Sequence, residues 1–222
     1  MPKRFTAKAA VYKNYDQIKI KIPNRMMIVG SSGSGKSNVL LNLVYGINAF
    51  TKIYLFVKSP EEPLYQFLIN DLQAVEKKLK IEILTVSTQL DELPEVDEFS
   101  KEEMNLVIFD DIITEKLAKL QKVSDLWVRG RKQNVTTIFL TQSYHSVPKL
   151  IRQNTDVLLF KKIGTKRDLT LILSEYGLDK TVDELREMYK ASNTSDICNF
   201  FMIDMSPGQR PELMYRHNFN PI

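Results

Sequence analysis

The sequence predicts an α/β domain, a central and mostly parallel β-sheet with helices on its faces, and three observations carry that expectation. An apolar strand, Met26-Met27-Ile28-Val29, runs straight into the glycine-rich segment Gly30–Ser37 (GSSGSGKS) and then into a helical pattern. Short β-branched or aromatic runs alternate with helix-period segments along the chain, as βαβ crossovers require. The 222 residues suffice for one such domain with a substantial core and leave little room for a second. The expected organisation is a basic N-terminal extension over residues 1–16 and a single domain over 17–222.

Taken in order, Gln17–Ile22 (QIKIKI) alternates and predicts a half-exposed strand, with Pro23-Asn24 as the turn into the next one. After the glycine-rich loop, Asn38–Asn48 has apolar positions at helical spacing. Lys52–Val57 (KIYLFV) predicts a buried strand. Pro60–Lys80 predicts a helix with Leu64, Phe67, Leu68, Leu72, Val75 and Leu79 on its apolar stripe. Ile81–Val86 predicts a third strand, and Ser87–Glu103 an acidic surface loop. Leu106–Phe109 is a strand ending in Asp110-Asp111, followed by a helix from Thr114 to Trp127. Val135–Leu140 (VTTIFL) is a buried-type strand closed by Thr141-Gln142, and Asp156–Phe160 follows a short helical stretch. Two helices (Lys166–Tyr176, Thr181–Lys190) and two late strands (Ile197–Ile203, Pro211–Arg216) complete the chain.

The composition, 43% apolar and 26% charged, is that of a soluble globular protein. A net charge of +4 permits a nucleic-acid partner without demanding one. Cys198 is the only cysteine, which excludes an intrachain disulfide and suits a reducing compartment. No apolar run approaches the length that crosses a bilayer, and the basic N-terminus lacks the apolar core of a signal peptide, so a cytosolic protein is expected. His145 and His217 are not spaced with other ligands, and no zinc site is expected.

Gly30–Ser37 matches the full pattern G-x-x-x-x-G-K-[ST]. A phosphate chain needs many N–H donors converging on it, and side chains obstruct that approach; glycines let the backbone curl inward. Gly30, Ser31, Ser32, Gly33, Ser34, Gly35, Lys36, Ser37 and Asn38 are therefore the expected phosphate-binding residues, at a helix N-terminus. Lys36 would bring a mobile charge to the β and γ phosphates, and the Ser37 hydroxyl would ligate Mg²⁺. Leu106–Asp111 has the form of a Walker B segment, so Asp110 is the expected second metal residue. Asp111 is then placed to orient the attacking water, with Glu115, beyond the turn, as its rival. Gln142, at the end of a strand expected beside the Gly30 strand, could donate to the γ-phosphate or the attacking water, or cap backbone. Arg129 and Arg131 flank Gly130; one could spread phosphoryl charge on a neighbouring subunit's nucleotide, or both could belong to a basic loop that is solvated or contacts DNA.

The combination of GSSGSGKS, the IFDD strand end, RGRKQNVTTIFLTQ and the IRQN that follows resembles the FtsK–HerA superfamily of DNA-pumping ATPases. Within it, the short length and the Asp-Asp ending are most similar to the genome-packaging ATPases of poxvirus-type and related large DNA viruses and virophages. The resemblance covers Arg25 to Lys161. It implies a RecA/ASCE-like P-loop NTPase, a ring-forming homo-oligomer (pentamer or hexamer) that hydrolyses ATP with Mg²⁺ and drives double-stranded DNA into a preformed capsid. It implies that Lys36, Ser37, Asp110, Asp111, Gln142 and a trans arginine, Arg129 or Arg131, act together. A capsid or portal-vertex protein as partner, and a location in the infected cell's cytoplasm, at the viral factory or with the virion, follow from the same resemblance.

Such a motor should grip phosphates rather than read bases. Loop cations available for this are Arg129, Arg131, Lys132, Lys149, Arg152, Lys161, Lys162, Lys166 and Arg167. Tyr144 and Tyr176 could stack on adenine or simply pack. Three rival functions stand. Thr165-Lys166-Arg167-Asp168 matches the guanine-recognition pattern [NT]-K-x-D of GTPase switches, although the Asp-x-x-Gly expected after Asp110 is missing. A small-metabolite kinase would need an arginine-rich lid and an acceptor pocket but not the acid pair. A plasmid or conjugation coupling ATPase would carry a membrane anchor.

Overall fold

The β-branched and aromatic runs form strands that are covered on both sides. The computed structural model describes residues 12–112, 115, 117–177, 180–193, 196 and 198–222. Its strands are β1 (Arg25–Val29), β2 (Lys52–Val57), β3 (Leu84–Ser87), β4 (Asn105–Asp110), β5 (Val135–Thr141), β6 (Val157–Phe160), β7 (Phe201–Asp204), β8 (Tyr215–His217) and β9 (Asn220–Pro221). Among the described residues they make one sheet in the order β3-β2-β4-β5-β1-β6-β7-β8-β9. Strands β3 to β6 in that row are parallel, and β7, β8 and β9 add to the edge as antiparallel strands. The helices are α1 (Tyr15–Ile18), α2 (Lys36–Ile47), α3 (Pro63–Leu79), α4 (Leu117–Arg129), α5 (Lys149–Gln153), α6 (Lys166–Glu175) and α7 (Val182–Ser192).

Side chains on a strand alternate between faces, and each face of this sheet finds its own helices. Met27, Val29, Val107, Phe109, Phe139, Leu158 and Phe160 share one core with Trp127 of α4, Ile151 of α5, Ile172 of α6 and Leu185 of α7. Met26, Ile28, Leu106, Ile108, Ile138, Leu140 and Leu159 share the other with Leu40 and Leu43 of α2 and Tyr65 and Leu68 of α3. The result is a three-layer α/β/α sandwich.

Several boundaries differ from the expectation. Gln17–Ile22 is not a strand: α1 takes Tyr15–Ile18, Lys19 caps it in the left-handed region at φ 54°, and Ile22 makes only a single bridge. The alternation was a true burial signal, since Ile18, Ile20 and Ile22 are buried, but among the described residues no strand runs alongside beyond that bridge. The expected extension is described from Tyr12, and residues 12–16 are held: the Tyr12 hydroxyl donates to Ile20 O at 2.9 Å and Asn14 Nδ2 to Gly46 O at 2.9 Å. Residues 1–11 lie outside the described residues. Strand β3 starts at Leu84 rather than Ile81, because the Glu76 carboxylate accepts the N–H groups of Ile83 and Leu84 at 2.7 and 2.8 Å. The buried face of α3 carries Tyr65, Leu68 and Ile69, while Phe67 and Leu79 stand exposed. Helix α4 runs on to Arg129; the expected start at Thr114 lies outside the described residues. Of the late strands, β7 begins at Phe201, and Pro211–Leu213 is a 3-10 turn before β8.

Candidate functional site at the carboxyl ends of the strands

Parallel pairing brings four strand ends into one row. Val29 is in register with Thr141 and Phe160, and Asp110 with Leu140 and Val57, so Gly30, Asp111, Gln142 and Lys161 leave the sheet side by side. Strand β5 lies between β1 and β4, as the expectation for Gln142 required.

The loop Gly30–Ser37 is fastened at its start and open at its crown. The Gly30 N–H donates to Thr141 O at 3.2 Å and the Ser31 N–H to Lys162 O at 3.0 Å. A Cβ on Gly30 would come within 2.6 Å of Ser34 Oγ and 3.1 Å of Lys161 Cβ, so any larger residue would displace the Ser34 side chain. Gly33 and Gly35 have φ values of 68° and 89°, and Gly35 caps α2. Ser34 Oγ is buried with no hydrogen-bond partner among the described residues, and the space beside Gly33 is clear. An orphaned hydroxyl, an open approach and a helix N-terminus fit a bound phosphate.

Lys36 folds back across the loop, donating to Gly30 O at 3.0 Å and Ser31 O at 3.2 Å. Burial pulls its pKa down, opposed by the charges of Asp110, Asp111 and Glu62. Burial pushes the Asp110 carboxyl above the ordinary aspartate range, opposed by a hydrogen bond from Tyr65 and by Lys36. The Tyr65 hydroxyl donates to Asp110 Oδ2, and the Ser37 side chain also acts on that hydroxyl. Ser37 and Asp110 thus supply hard oxygen donors around one phenol. Among the described residues no cluster of three or more His, Cys, Asp or Glu forms a closed cage. Mg²⁺ keeps waters and takes phosphate oxygens beside one or two protein ligands, and two such oxygen donors are what Ser37 and Asp110 offer. Asp111 is exposed in the left-handed region at φ 54°, and its charge reaches Lys36. Glu115 instead stands 3.9 Å from Lys119, outside the charges that act on Lys36.

Gln142 is exposed, one residue past Thr141. The arginines lie elsewhere. Arg131 precedes β5 and reaches Asp156 Oδ1 at 3.4 Å; Arg25 holds the same carboxylate at 2.9 and 2.8 Å. Arg129 is exposed and pairs with Asp97 at 3.3 Å. Both sit at the amino ends of the strands, the length of β5 or roughly 20 Å from Gln142. The fold therefore does not bring either arginine to its own chain's Lys36, and Arg25 is equally remote.

Thr165–Asp168 is a helix cap. Thr165 Oγ1 accepts the Asp168 N–H at 3.0 Å, and the Asp168 carboxylate, 1% exposed, accepts the backbone N–H of His145 at 2.8 Å with His145 Nδ1 also at 2.8 Å. An acid so enclosed has no edge to offer guanine, which removes the sequence argument for a GTPase switch. Tyr144 is fully buried, 6.5 Å edge-on from Tyr176, and donates to Glu175 Oε2 at 2.5 Å; these tyrosines pack. Arg152 pairs with Glu175 at 2.7 Å and Lys161 is buried, so neither is a loose surface cation. Lys132, Lys149, Lys162, Lys166 and Arg167 are exposed. Sequence reading missed Tyr65 and Glu62; the signal for Tyr65 was its i, i+3, i+4 spacing with Leu68 and Ile69.

Residues 12–200 match the family described as Poxvirus A32 protein. The chain belongs to this family. DNA packaging protein OPG160 of vaccinia virus (strain Copenhagen) is 32% identical over 141 residues, covering 61% of this chain and 52% of the relative. The protein of the same name from monkeypox virus is also 32% identical over 141 residues, 46% of its length. The chain spans about half the length of the curated relatives it matches. Among solved structures, B204, the DNA-packaging ATPase of Sulfolobus turreted icosahedral virus, superposes with a TM-score of 0.60 at 12% identity, covering 90% of this chain and 98% of that one. The B204 genome-packaging NTPase of Sulfolobus turreted icosahedral virus 2 with AMPPCP gives 0.59 at 14% identity, again over 90% and 98%. EssC ATPases 2 and 3 from Geobacillus thermodenitrificans give 0.54 at 11% identity, over 100% of this chain and 47% of theirs. These likenesses show the fold, a mostly parallel sheet between two helical layers with β5 between the Gly30 and Asp110 strands.

Proposed function

We propose that this chain is an ATP-hydrolysing motor that moves double-stranded viral DNA into a preformed capsid. The observation that carries the reading is the row of strand ends, where a glycine loop with a basic side chain faces a half-buried acid and an exposed amide. Membership of the A32 family and relatives named as DNA packaging proteins support the choice of cargo. Structural neighbours that hold ATP analogues support the choice of nucleotide.

In this reading the loop residues Gly30–Asn38 cradle the triphosphate and Lys36 swings from its carbonyl partners to the β and γ phosphates. Ser37 and Asp110 hold Mg²⁺, which supplies charge neutralisation of the phosphate oxygens. Asp111 orients the attacking water, and Gln142 contacts the γ-phosphate end. The arginine comes from a neighbour in a ring, because each chain's own pair lies at the opposite end of the sheet. Arg129 is the freer candidate, since its partner Asp97 is itself exposed. Lys132, Lys149, Lys162, Lys166 and Arg167 are the cations available for DNA phosphates. A capsid-vertex partner and a place in the cytoplasm of the infected cell belong to the same proposal.

Phosphate release measured with and without double-stranded DNA, with oligomer size followed by light scattering, tests it. Stimulation by DNA in a ring-sized species is expected. A monomer whose turnover ignores DNA in every condition contradicts it.

A further inference from the structure

A buried tyrosine in a helix stripe ordinarily needs only to fill space, and phenylalanine would do that without a hydroxyl to satisfy. Tyr65 differs because of where its oxygen ends. Its ring is 1% exposed in the core between α3 and the sheet, while the hydroxyl donates to Asp110 Oδ2 and has the Ser37 side chain as its other polar neighbour. The two residues placed to hold a cation come from different elements, α2 and the end of β4, and a third element, α3, touches both. The charge of Glu62, the N-cap residue of α3, also bears on Lys36 and Asp110.

A carboxylate at a strand tip turns about two side-chain bonds, and a donor fixed in a packed ring removes that freedom. Partners of this kind set metal affinity even though they never touch the metal. We propose that Tyr65 is the positioning residue of the cation site, orienting the Asp110 carboxylate toward Ser37 and thereby setting the affinity for a nucleotide-bound divalent cation. The inference rests on the nucleotide–Mg²⁺ reading of the Gly30–Ser37 loop.

The test uses Mn²⁺, read by electron paramagnetic resonance, as the probe for the cation in the presence of ADP, comparing the full chain with Tyr65→Phe. The variant keeps the ring in the core, so its melting temperature should move little. Its Mn²⁺ affinity should fall about 10–100-fold, while ADP affinity in EDTA stays within about twofold. Unchanged or tighter Mn²⁺ binding, or an equal loss in EDTA, overturns the inference. A second measurement needs no variant: Mg²⁺ added with inorganic triphosphate, which does not absorb in the near ultraviolet, should produce a tyrosine difference band in the unaltered protein. Its absence overturns the inference as well. An unaltered protein that takes up no Mn²⁺ with ADP instead refutes the nucleotide reading beneath it, so the two failures are distinguishable.

Discussion

The two ends of the parallel strands carry charges on opposite terms. At the amino ends, charges satisfy one another: Asp156 is 4% exposed, yet it is held by the Arg25 backbone and guanidinium and by Arg131. Around the Gly30–Ser37 loop at the carboxyl ends they do not. Lys36 rests on two carbonyl oxygens, Asp110 is desolvated with its carboxyl pushed upward, and Ser34 Oγ is orphaned. Both ends are fed by the same strands, so the difference belongs to the loops. Internally paired charge stabilises a fold, whereas charge left available can meet a ligand. Substitutions at the amino ends should therefore alter folding, and those at the carboxyl ends should alter turnover.

The arginine pair before β5 is the sharpest way to break that contrast, because a trans role would give the amino end a catalytic share. Arg129→Ala should lower hydrolysis by about 10³-fold while shifting stability by less than about 1 kcal/mol. Arg131→Ala should show the reverse balance in urea unfolding and steady-state turnover. Equal losses of turnover for both would contradict the choice of Arg129. Next in size, Arg25→Met takes the nearest cation from a buried carboxylate, leaving it the backbone N–H of residue 25 and Arg131, and should cost about 3 kcal/mol, the low end for a broken buried pair, in urea titrations, with nucleotide affinity unchanged in the folded fraction. Lys36→Ala should reduce phosphate release by about 10²–10³-fold and leave the melting temperature equal or higher, since a partly desolvated cation is removed.

The smallest effect concerns the link between the loop after Gln142 and α6. Burial raises the Asp168 pKa, but hydrogen bonds from His145 and Thr165 outweigh it and hold the carboxyl below its usual value. A depressed carboxylate contributes stability above its unfolded pKa and loses it as pH falls through the folded one. Asp168→Asn should therefore cost about 1–3 kcal/mol at neutral pH. The gap to the unaltered protein should close in acid, below the ordinary aspartate range; a gap independent of pH in thermal melts would show that the charge of Asp168 does nothing.

The phosphate loop, the acid-tipped strand and the glutamine strand could be read from sequence because each is a local pattern on a buried strand. Their adjacency also followed, since parallel strands present the same ends. Tertiary contacts could not be read. Nothing local distinguishes Tyr65 from a core aromatic; of the stripe expected on that helix Leu68 is buried and Leu64, Leu72 and Val75 pack against the core, while Phe67 and Leu79 stand exposed. Thr165–Asp168 shows the converse error, in which four residues fit a recognition pattern while their side chains cap a helix. The QIKIKI segment had the right faces buried but no neighbouring strand to pair with, and alternation alone does not supply one.

The central proposal is movement along DNA, and displacement of a triplex-forming strand from double-stranded DNA tests it most directly. Displacement that requires ATP, and that Lys36→Ala abolishes, is the predicted result. A DNA-bound protein that hydrolyses ATP and leaves the third strand in place would contradict the proposal.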